Sequence, residues 1–167
     1  MHVPFESLPS IARVWIFQAS RKFTFEEKNI LTEQLQAFTE TWVTHGHPMQ
    51  ASFQIPFDHF VVLAADEGYT AASGCSIDDS VRTIKSVADR IGVDFFNRSL
   101  VAFQTDAVGI DLIALDQLKT THAAGQWNAE TLTFNNLIAT KAQLPQWRVP
   151  AGSTWLKRYL SKETMAN

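Results

Sequence analysis

The stretch Phe60-Val61-Val62-Leu63-Ala64-Ala65 is an unbroken apolar run near the middle of the first hundred residues. Such a short continuous run is typical of a strand that is buried on both faces of a sheet. A second run of the same kind, Val14-Trp15-Ile16-Phe17, lies upstream. We therefore expect these two segments to be the central strands of one sheet.

Two helices are predicted around the central run. Thr24 and Glu27 have the spacing of a capping box, and the apolar stripe that follows predicts a helix over residues 25–44, ended by Gly46. A second helix is predicted to begin at Ser76, with Asp79 three residues on as the partner in a second capping box, and to end at Gly92. The two stripes are Leu31, Leu35, Phe38 and Trp42, then Ile77, Val81, Ile84, Ala88 and Ile91.

Two more strands complete the pattern. Apolar residues alternate with polar ones from Ala51 to Phe57, which predicts a strand with one wet face, and Leu100-Val101-Ala102-Phe103 predicts a fourth strand. The order βαββαβ predicts an α+β, ferredoxin-like core over residues 10–104, an antiparallel four-stranded sheet with both helices on one face. The other face then has to be covered, either by residues 105–167 or by a second subunit.

Residues 105–167 carry weaker signals. Leu115, Leu118 and Gly125 predict a short helix, and a terminal helix is predicted from Ser153. The segments 131–134 and 137–140 flank Asn135-Asn136 and predict a small hairpin. We interpret this region as an extension of a single domain that spans residues 1–167.

Composition limits the classes of partner. The chain has 167 residues, a net charge of −3, scattered Lys and Arg, and one cysteine. Such a charge pattern does not favour nucleic acid or an anionic membrane, and no apolar segment reaches the ~20 residues that span a bilayer. A lone cysteine excludes an intrachain disulfide and suits a reducing compartment. We expect a cytoplasmic protein, with a homodimer as one way to cover the open sheet face.

The candidate site consists of two loops that the predicted topology brings to one end of the sheet. They are Thr44-His45-Gly46-His47, after the first helix, and Ser73-Gly74-Cys75-Ser76-Ile77-Asp78, before the second. In one interpretation Cys75 is a nucleophile at a helix N-terminus, with His45 or His47 as base and Asp66 or Asp78 as an orienting carboxylate.

Other interpretations of these residues stay open. His45, His47 and Cys75 could ligate a metal, although the spacing is a weak signal, and we predict neither a metal nor a cofactor. Ser73, Gly74 and Ser76 could let the backbone approach a small ligand. At the opposite end of the sheet, Arg21 before the first helix could hold an anion. A purely structural role for each residue is a further alternative, since a free cysteine is often simply buried.

Motifs that would specify an enzyme class are absent. The sequence has no G-x-x-x-x-G-K-[ST] phosphate loop, no G-x-S-x-G elbow, no H-E-x-x-H and no G-x-G-x-x-G. Such a chain is not expected to be an ATPase.

Several short motifs nevertheless resemble one family. They are Ala12-Arg13-Val14-Trp15-Ile16, Trp42-Val43-Thr44-His45-Gly46, Ala72-Ser73-Gly74-Cys75-Ser76-Ile77-Asp78, Phe134-Asn135-Asn136-Leu137 and Thr140-Lys141. Together they resemble a family of small uncharacterised bacterial proteins that often carry the label "ABC transporter ATPase". The resemblance implies no activity, and the label does not fit a chain without a phosphate loop. It directs attention to residues 44–47 and 73–78.

Two functional hypotheses follow from the sequence. The first is an α+β module that binds a small ligand or a partner protein. The second is a thiol-dependent enzyme that uses Cys75 and one of the two histidines.

Overall fold

The computed structural model describes residues 1–68 and 70–160 as a mixed α+β chain with antiparallel sheets. The chain divides into two compact units, the first formed by Met1–Phe96 and Asn136–Leu144, the second by Asn97–Asn135 and residues 145–160. This boundary differs from the predicted division at residue 104. The single domain over residues 1–167 stays a prediction.

The first unit is built on a three-stranded antiparallel sheet. Its elements are β1 (Arg13–Gln18), α1 (Phe25–Thr41), β2 (Val43–Thr44), β3 (His47–Pro48), β4 (Ala51–Gln54), β5 (Phe60–Ala65) and α2 (Gly74–Ile91). The strand order is β1-β5-β4, while β2 and β3 form a separate small hairpin. All six residues of β5 are buried, which confirms that the apolar run beginning at Phe60 is a central strand.

The core of this unit lies between the sheet and the two helices. Val61 and Leu63 of β5 pack with Leu31 and Leu35 of α1, and Ile84 of α2 joins the same cluster. On the other sheet face, Val14, Val62 and Ala64 are also buried within the single chain. Burial of that face therefore requires no second subunit.

Both helix starts use side-chain caps. Thr24 and Glu27 form the predicted capping box, so α1 begins at Phe25 as expected. The start of α2 was predicted too late, because Ser73 is its N-cap and Ser76 is the reciprocal partner in the box. Serine hydroxyls can fill both positions, and the choice of Ser76 with Asp79 was therefore wrong by one turn.

Of the two helix ends, one was predicted correctly and the other was not. Gly92 ends α2 in the left-handed conformation, with φ of +70°, as predicted. In contrast, α1 ends at Thr41, and Gly46 lies in the turn between β2 and β3 rather than at the helix terminus.

The prediction that Leu100–Phe103 adds a fourth strand to this sheet is wrong. The segment does form a strand, β6 (Leu100–Gln104), but it pairs with β7 (Ile110–Ala114) in a different sheet. A short loop joins these two strands, and Asp106 accepts hydrogen bonds from the amides of Val108 and Gly109 within it. Pairing with a strand a few residues away closes a small loop at low entropic cost.

Another segment lies beside β1 instead. Arg13 and Thr140 form an antiparallel bridge, and the amide of Val14 donates to the carbonyl of Ala139. The Gln143 side chain accepts from the amides of Ala139 and Thr140 and holds this segment in its extended form. As a result β1, predicted as a central strand, is the last regular strand of its sheet.

The second unit contains a four-stranded antiparallel sheet of order β7-β6-β8-β9. Its remaining elements are α3 (Leu118–Ala123), β8 (Leu132–Phe134) and β9 (Arg148–Pro150). Phe103, Leu118 and Trp127 form the centre of its core, and Trp127 donates a hydrogen bond to the carbonyl of Leu118. The predicted short helix after Leu115 is therefore present, whereas the terminal segment forms a 3-10 helix over Trp155–Tyr159.

The hairpin predicted around Asn135-Asn136 is wrong. β8 pairs with β6 and β9, and the amide of Asn135 donates to the carbonyl of Trp147. Neither asparagine has a positive φ, so the turn chemistry on which the prediction rested is not used. None of the described helices combines the length and the apolar content needed to cross a bilayer.

Candidate functional site

Trp42 lies two residues before the first predicted loop and contacts the second predicted loop, where α1 ends and α2 begins. The indole Nε1 of Trp42, the residue after α1, donates to the carbonyl oxygen of Ser76 in the first turn of α2 at 2.9 Å. The short strand β2 lies beside α2, with Cα atoms within 8 Å. The buried Trp42 ring also contacts Trp15 and Phe38, with centroids 5.6 and 4.8 Å away. Trp42 therefore fixes the hairpin that follows it against α2.

The hairpin presents its histidines at a tight turn. Thr44 pairs with His47, and the two residues between them, His45 and Gly46, have φ of +49° and +77°. Two successive positive values are typical of a type I′ turn, which matches the twist of the flanking strands. Both imidazoles are exposed to solvent.

Cys75 is exposed, as the second residue of α2. The prediction placed it just before the helix, so its position shifts by the same turn as the N-cap. Ser73 and Ser76 are occupied by the capping box, and Ser76 is buried. Gly74 is the first residue of the helix, and a methyl group on its Cα would meet no neighbour within 4 Å. These three residues are accounted for by the helix terminus alone.

The structure does not join the thiol to an imidazole. Among the residues that it describes, neither His45 nor His47 hydrogen-bonds with Cys75. Asp78 is exposed on α2, one turn after the cysteine. Within the same described ranges, no three His, Cys, Asp or Glu side chains gather as potential metal ligands, so a metal bound by His45, His47 and Cys75 has no geometric support.

Arg21 lies at the other end of α1, as predicted, but its guanidinium is occupied. It forms two hydrogen bonds with Glu27, at 2.8 and 2.7 Å, and another with the carbonyl of Ile91 at the end of α2. The hydrogen bond from Arg21 is the main reason that the pKa of Glu27 falls to about 2. These contacts give Arg21 a structural role, tying the start of α1 to the end of α2, without a bound anion.

A pocket of about 260 Å³ lies next to the hairpin, between the end of α1 and the second and third turns of α2. One wall comes from the end of α1 and the start of β2, and the other from α2. The lining residues are Phe38, Thr41, Trp42 and Val43 on the first wall and Asp79, Arg82 and Thr83 on the second. Cys75 precedes Asp79 by four residues, so it lies one helical turn from this pocket on the same side of α2.

The pocket combines apolar and charged groups. Val43 is 41% exposed, although the neighbouring Trp42 is buried. Opposite it, Arg82 Nη1 and Asp79 Oδ1 form an ion pair at 2.9 Å. The hydroxyl of Thr83 makes no hydrogen bond within the described chain. Free polar groups beside an exposed apolar wall are the features that orient and hold a small ligand.

The sequence does not predict this pocket. Asp79 is predicted as a capping residue, and an acidic and a basic residue three apart on a helix typically form a solvated pair. Asp79 and Arg82 lie beside the apolar stripe of α2. Their position indicates a pocket only when α1 and α2 are known to be neighbours.

One buried polar atom near this site has no partner. Thr44 is 2% exposed, and its Oγ1 is buried without a hydrogen bond in the described part of the chain. An unpaired buried hydroxyl costs about 1–3 kcal/mol. The hairpin therefore carries an energetic cost at Thr44, in β2 next to α2.

No family model, no curated protein and no solved structure matches this chain.

Proposed function

We propose that this protein is a small-ligand-binding module and that the pocket between the end of α1 and α2 is its binding site. The observation that carries the proposal is the pocket itself, about 260 Å³, with apolar Phe38 and Val43 facing the charged pair Asp79 and Arg82. Sites for drug-sized ligands measure roughly 300–1,000 Å³, so this pocket suits a smaller molecule.

The surroundings of the pocket support binding rather than simple packing. Trp42 lines the pocket and is held in place, because its indole is hydrogen-bonded to Ser76 and its ring is packed against Trp15 and Phe38. The Arg82 and Asp79 side chains are less constrained by packing, since they are 76% and 47% exposed. A preorganised Trp42 adds little ordering cost on binding, whereas immobilising the Arg82 side chain costs roughly 0.5–1.5 kcal/mol.

The experiment that tests the proposal is a screen of small fragments by ¹H–¹⁵N correlation spectra of the whole protein. The fragments should include aliphatic and aromatic acids, amines and zwitterions. We expect chemical-shift changes at residues 38–43 and 79–83. Shift changes confined to other residues, or none at millimolar fragment, would contradict the proposal.

Matched substitutions separate the pocket from general surface effects. Thr83→Phe places a ring in the pocket and should abolish the response to fragments. Thr32→Phe makes the same change on the exposed face of α1, where Thr32 is hydrogen-bonded only to the carbonyl of Lys28, and should leave the response intact. Equal responses in the two variants would place the binding elsewhere.

A second candidate function is a thiol-dependent enzyme, with Cys75 as nucleophile and His45 or His47 as base. The observation in its favour is the exposure of Cys75 in the first turn of α2. Iodoacetamide labelling against pH tests it. A labelling midpoint equal to that of N-acetylcysteine, unchanged by His45→Asn and His47→Asn, would remove this candidate.

Further statements about the protein also stand as proposals. The order β1-β5-β4 with both helices against one face agrees with a ferredoxin-like arrangement in which the segment at Thr140 takes the place of the fourth strand. We also propose that the chain belongs to the bacterial family that residues 44–46 and 72–78 resemble. We propose a cytoplasmic protein that forms a homodimer and has no nucleic-acid or membrane partner.

A further inference from the structure

The pair Asp79–Arg82 is the feature of the pocket that specifies a ligand class. The two side chains are joined by a single contact, Arg82 Nη1 to Asp79 Oδ1, at 2.9 Å. An exposed ion pair of this kind contributes little to stability. A ligand can therefore separate the two charges at little cost, and each charge can then take a partner from the ligand.

The remaining hydrogen-bonding capacity of the pair is complementary to two opposite charges. Within the described chain the Nε and Nη2 groups of Arg82 have no acceptor, and Asp79 Oδ2 has no donor. A guanidinium with two free donors matches a carboxylate, and a carboxylate with a free oxygen matches an ammonium group. A purely anionic ligand would meet Asp79, and a purely cationic one would meet Arg82, so each would bring two like charges together.

The apolar wall of the pocket determines what the uncharged part of the ligand must be. Phe38 and the 41% exposed Val43 present apolar surface to the same pocket. Removing such surface from water favours binding by roughly 25 cal/mol per Å². A ligand with neighbouring opposite charges and a short apolar body would therefore satisfy both walls at once.

We propose that the pocket binds a free α-amino acid with an apolar side chain, its carboxylate on Arg82, its ammonium group on Asp79 and its side chain against Phe38 and Val43. This inference rests on the proposed function, because it names the ligand class of the same site. The hydroxyl of Thr83 is available beside the charged pair as an additional hydrogen-bonding group for the carboxylate.

Titration calorimetry with L-leucine as the probe tests the proposal. We expect L-leucine to bind at least tenfold more tightly than N-acetyl-L-leucine, which lacks the positive charge, and than L-leucinamide, which lacks the negative charge. L-serine, which keeps both charges and lacks the apolar body, should also bind more weakly. Equal affinity for L-leucine and either of the singly charged analogues would overturn the proposal.

Charge-removing variants provide the second arm. Arg82→Gln and Asp79→Asn should each weaken L-leucine binding at least tenfold. Asp89→Asn and Arg90→Gln alter exposed charges further along the same helix and should leave binding unchanged. If the two pairs of variants behave alike, the charges of the pocket are not the recognition groups.

The fragment screen separates the ligand class from the binding site. If fragments perturb residues 38–43 and 79–83 but no amino acid does, the ligand class is wrong and the binding module stands. If neither fragments nor amino acids bind there, both fail. Thermal unfolding of each variant within a few degrees of wild type excludes misfolding as the cause of lost binding.

Discussion

The indole of Trp42 and the backbone carbonyl of Ser76 are joined by a 2.9 Å hydrogen bond, and both residues are buried. The bond links the residue after α1 to the first turn of α2, 34 positions later in sequence. The hairpin with His45 and His47, the exposed Cys75 and the α1–α2 pocket are all adjacent to this link. Trp42 therefore organises the whole candidate site.

Substitution Trp42→Phe should destabilise the protein by about 1–3 kcal/mol, because it removes the donor and leaves space beside Phe38 and Trp15. Urea unfolding measures the change. Trp155→Phe is the matched control, since Trp155 is 45% exposed, and it should change stability by less than about 0.5 kcal/mol. Similar losses in both variants would show that the bond to Ser76 has no special weight.

Substitutions at the two turn residues of the hairpin should change the free energy of unfolding in different ways. Gly46 has φ of +77°, where an alanine side chain costs about 1–2 kcal/mol, so Gly46→Ala should lower the free energy of unfolding by that amount. His45→Asn should be neutral or stabilising, because Asn-Gly is the preferred pair for a type I′ turn. Denaturant unfolding of both variants distinguishes this turn from an unstrained loop. In an unstrained loop neither substitution would change the free energy of unfolding.

The Arg21–Glu27 ion pair should make the free energy of unfolding depend on pH in the acid range. The pKa of Glu27 is lowered from 4.5 to about 2, chiefly by the hydrogen bond from Arg21. The unfolded chain therefore binds the proton first as pH falls, and the stabilisation is complete above pH 4.5 and lost on the way to about 2.

The variant Glu27→Gln tests this dependence while keeping a residue that can complete the capping box. Its stability should approach that of wild type as pH falls from 4.5 towards 2. Glu33→Gln, on the exposed surface of the same helix, serves as control and should follow wild type. A constant difference between Glu27→Gln and wild type over this range would mean that the ion pair is not the cause.

His59 should govern stability at higher pH. Burial lowers its pKa, while the Phe57 carbonyl and Asp58 act in the opposite direction and Lys22 adds to the lowering. The folded state therefore holds the neutral imidazole, and stability should fall as pH drops from about 7.5 to 5.5, where the unfolded chain gains a proton. His59→Gln should flatten that part of the profile. A His59→Gln profile parallel to that of wild type would refute this assignment.

Elements determined by local chemistry could be predicted from the sequence. The box at Thr24, the terminus at Gly92 and the buried strand beginning at Phe60 each depend on neighbours a few residues away, and all three are present. Sheet membership could not be predicted in the same way. Leu100–Gln104 has strand composition whatever its partner, and the partner was decided by the hairpin to Ile110–Ala114.

The candidate site, too, could be predicted from the sequence only in part. The sequence predicted that residues 44–47 and 73–78 would meet, and Trp42, two residues before the first segment, contacts Ser76 of the second. It did not predict Arg82, because the value of an exposed helical ion pair depends on what lies opposite. Here the opposite wall is the end of α1 with exposed Val43, a relationship that exists only in three dimensions.

The most direct test of amino-acid binding is a crystal structure of the protein grown with L-leucine at millimolar concentration. We predict ligand density between α1 and α2, with the carboxylate on the guanidinium of Arg82 and the ammonium group on Asp79, whose 2.9 Å contact opens to admit it. An empty pocket with that contact intact, or L-leucine bound only elsewhere, would contradict the proposal.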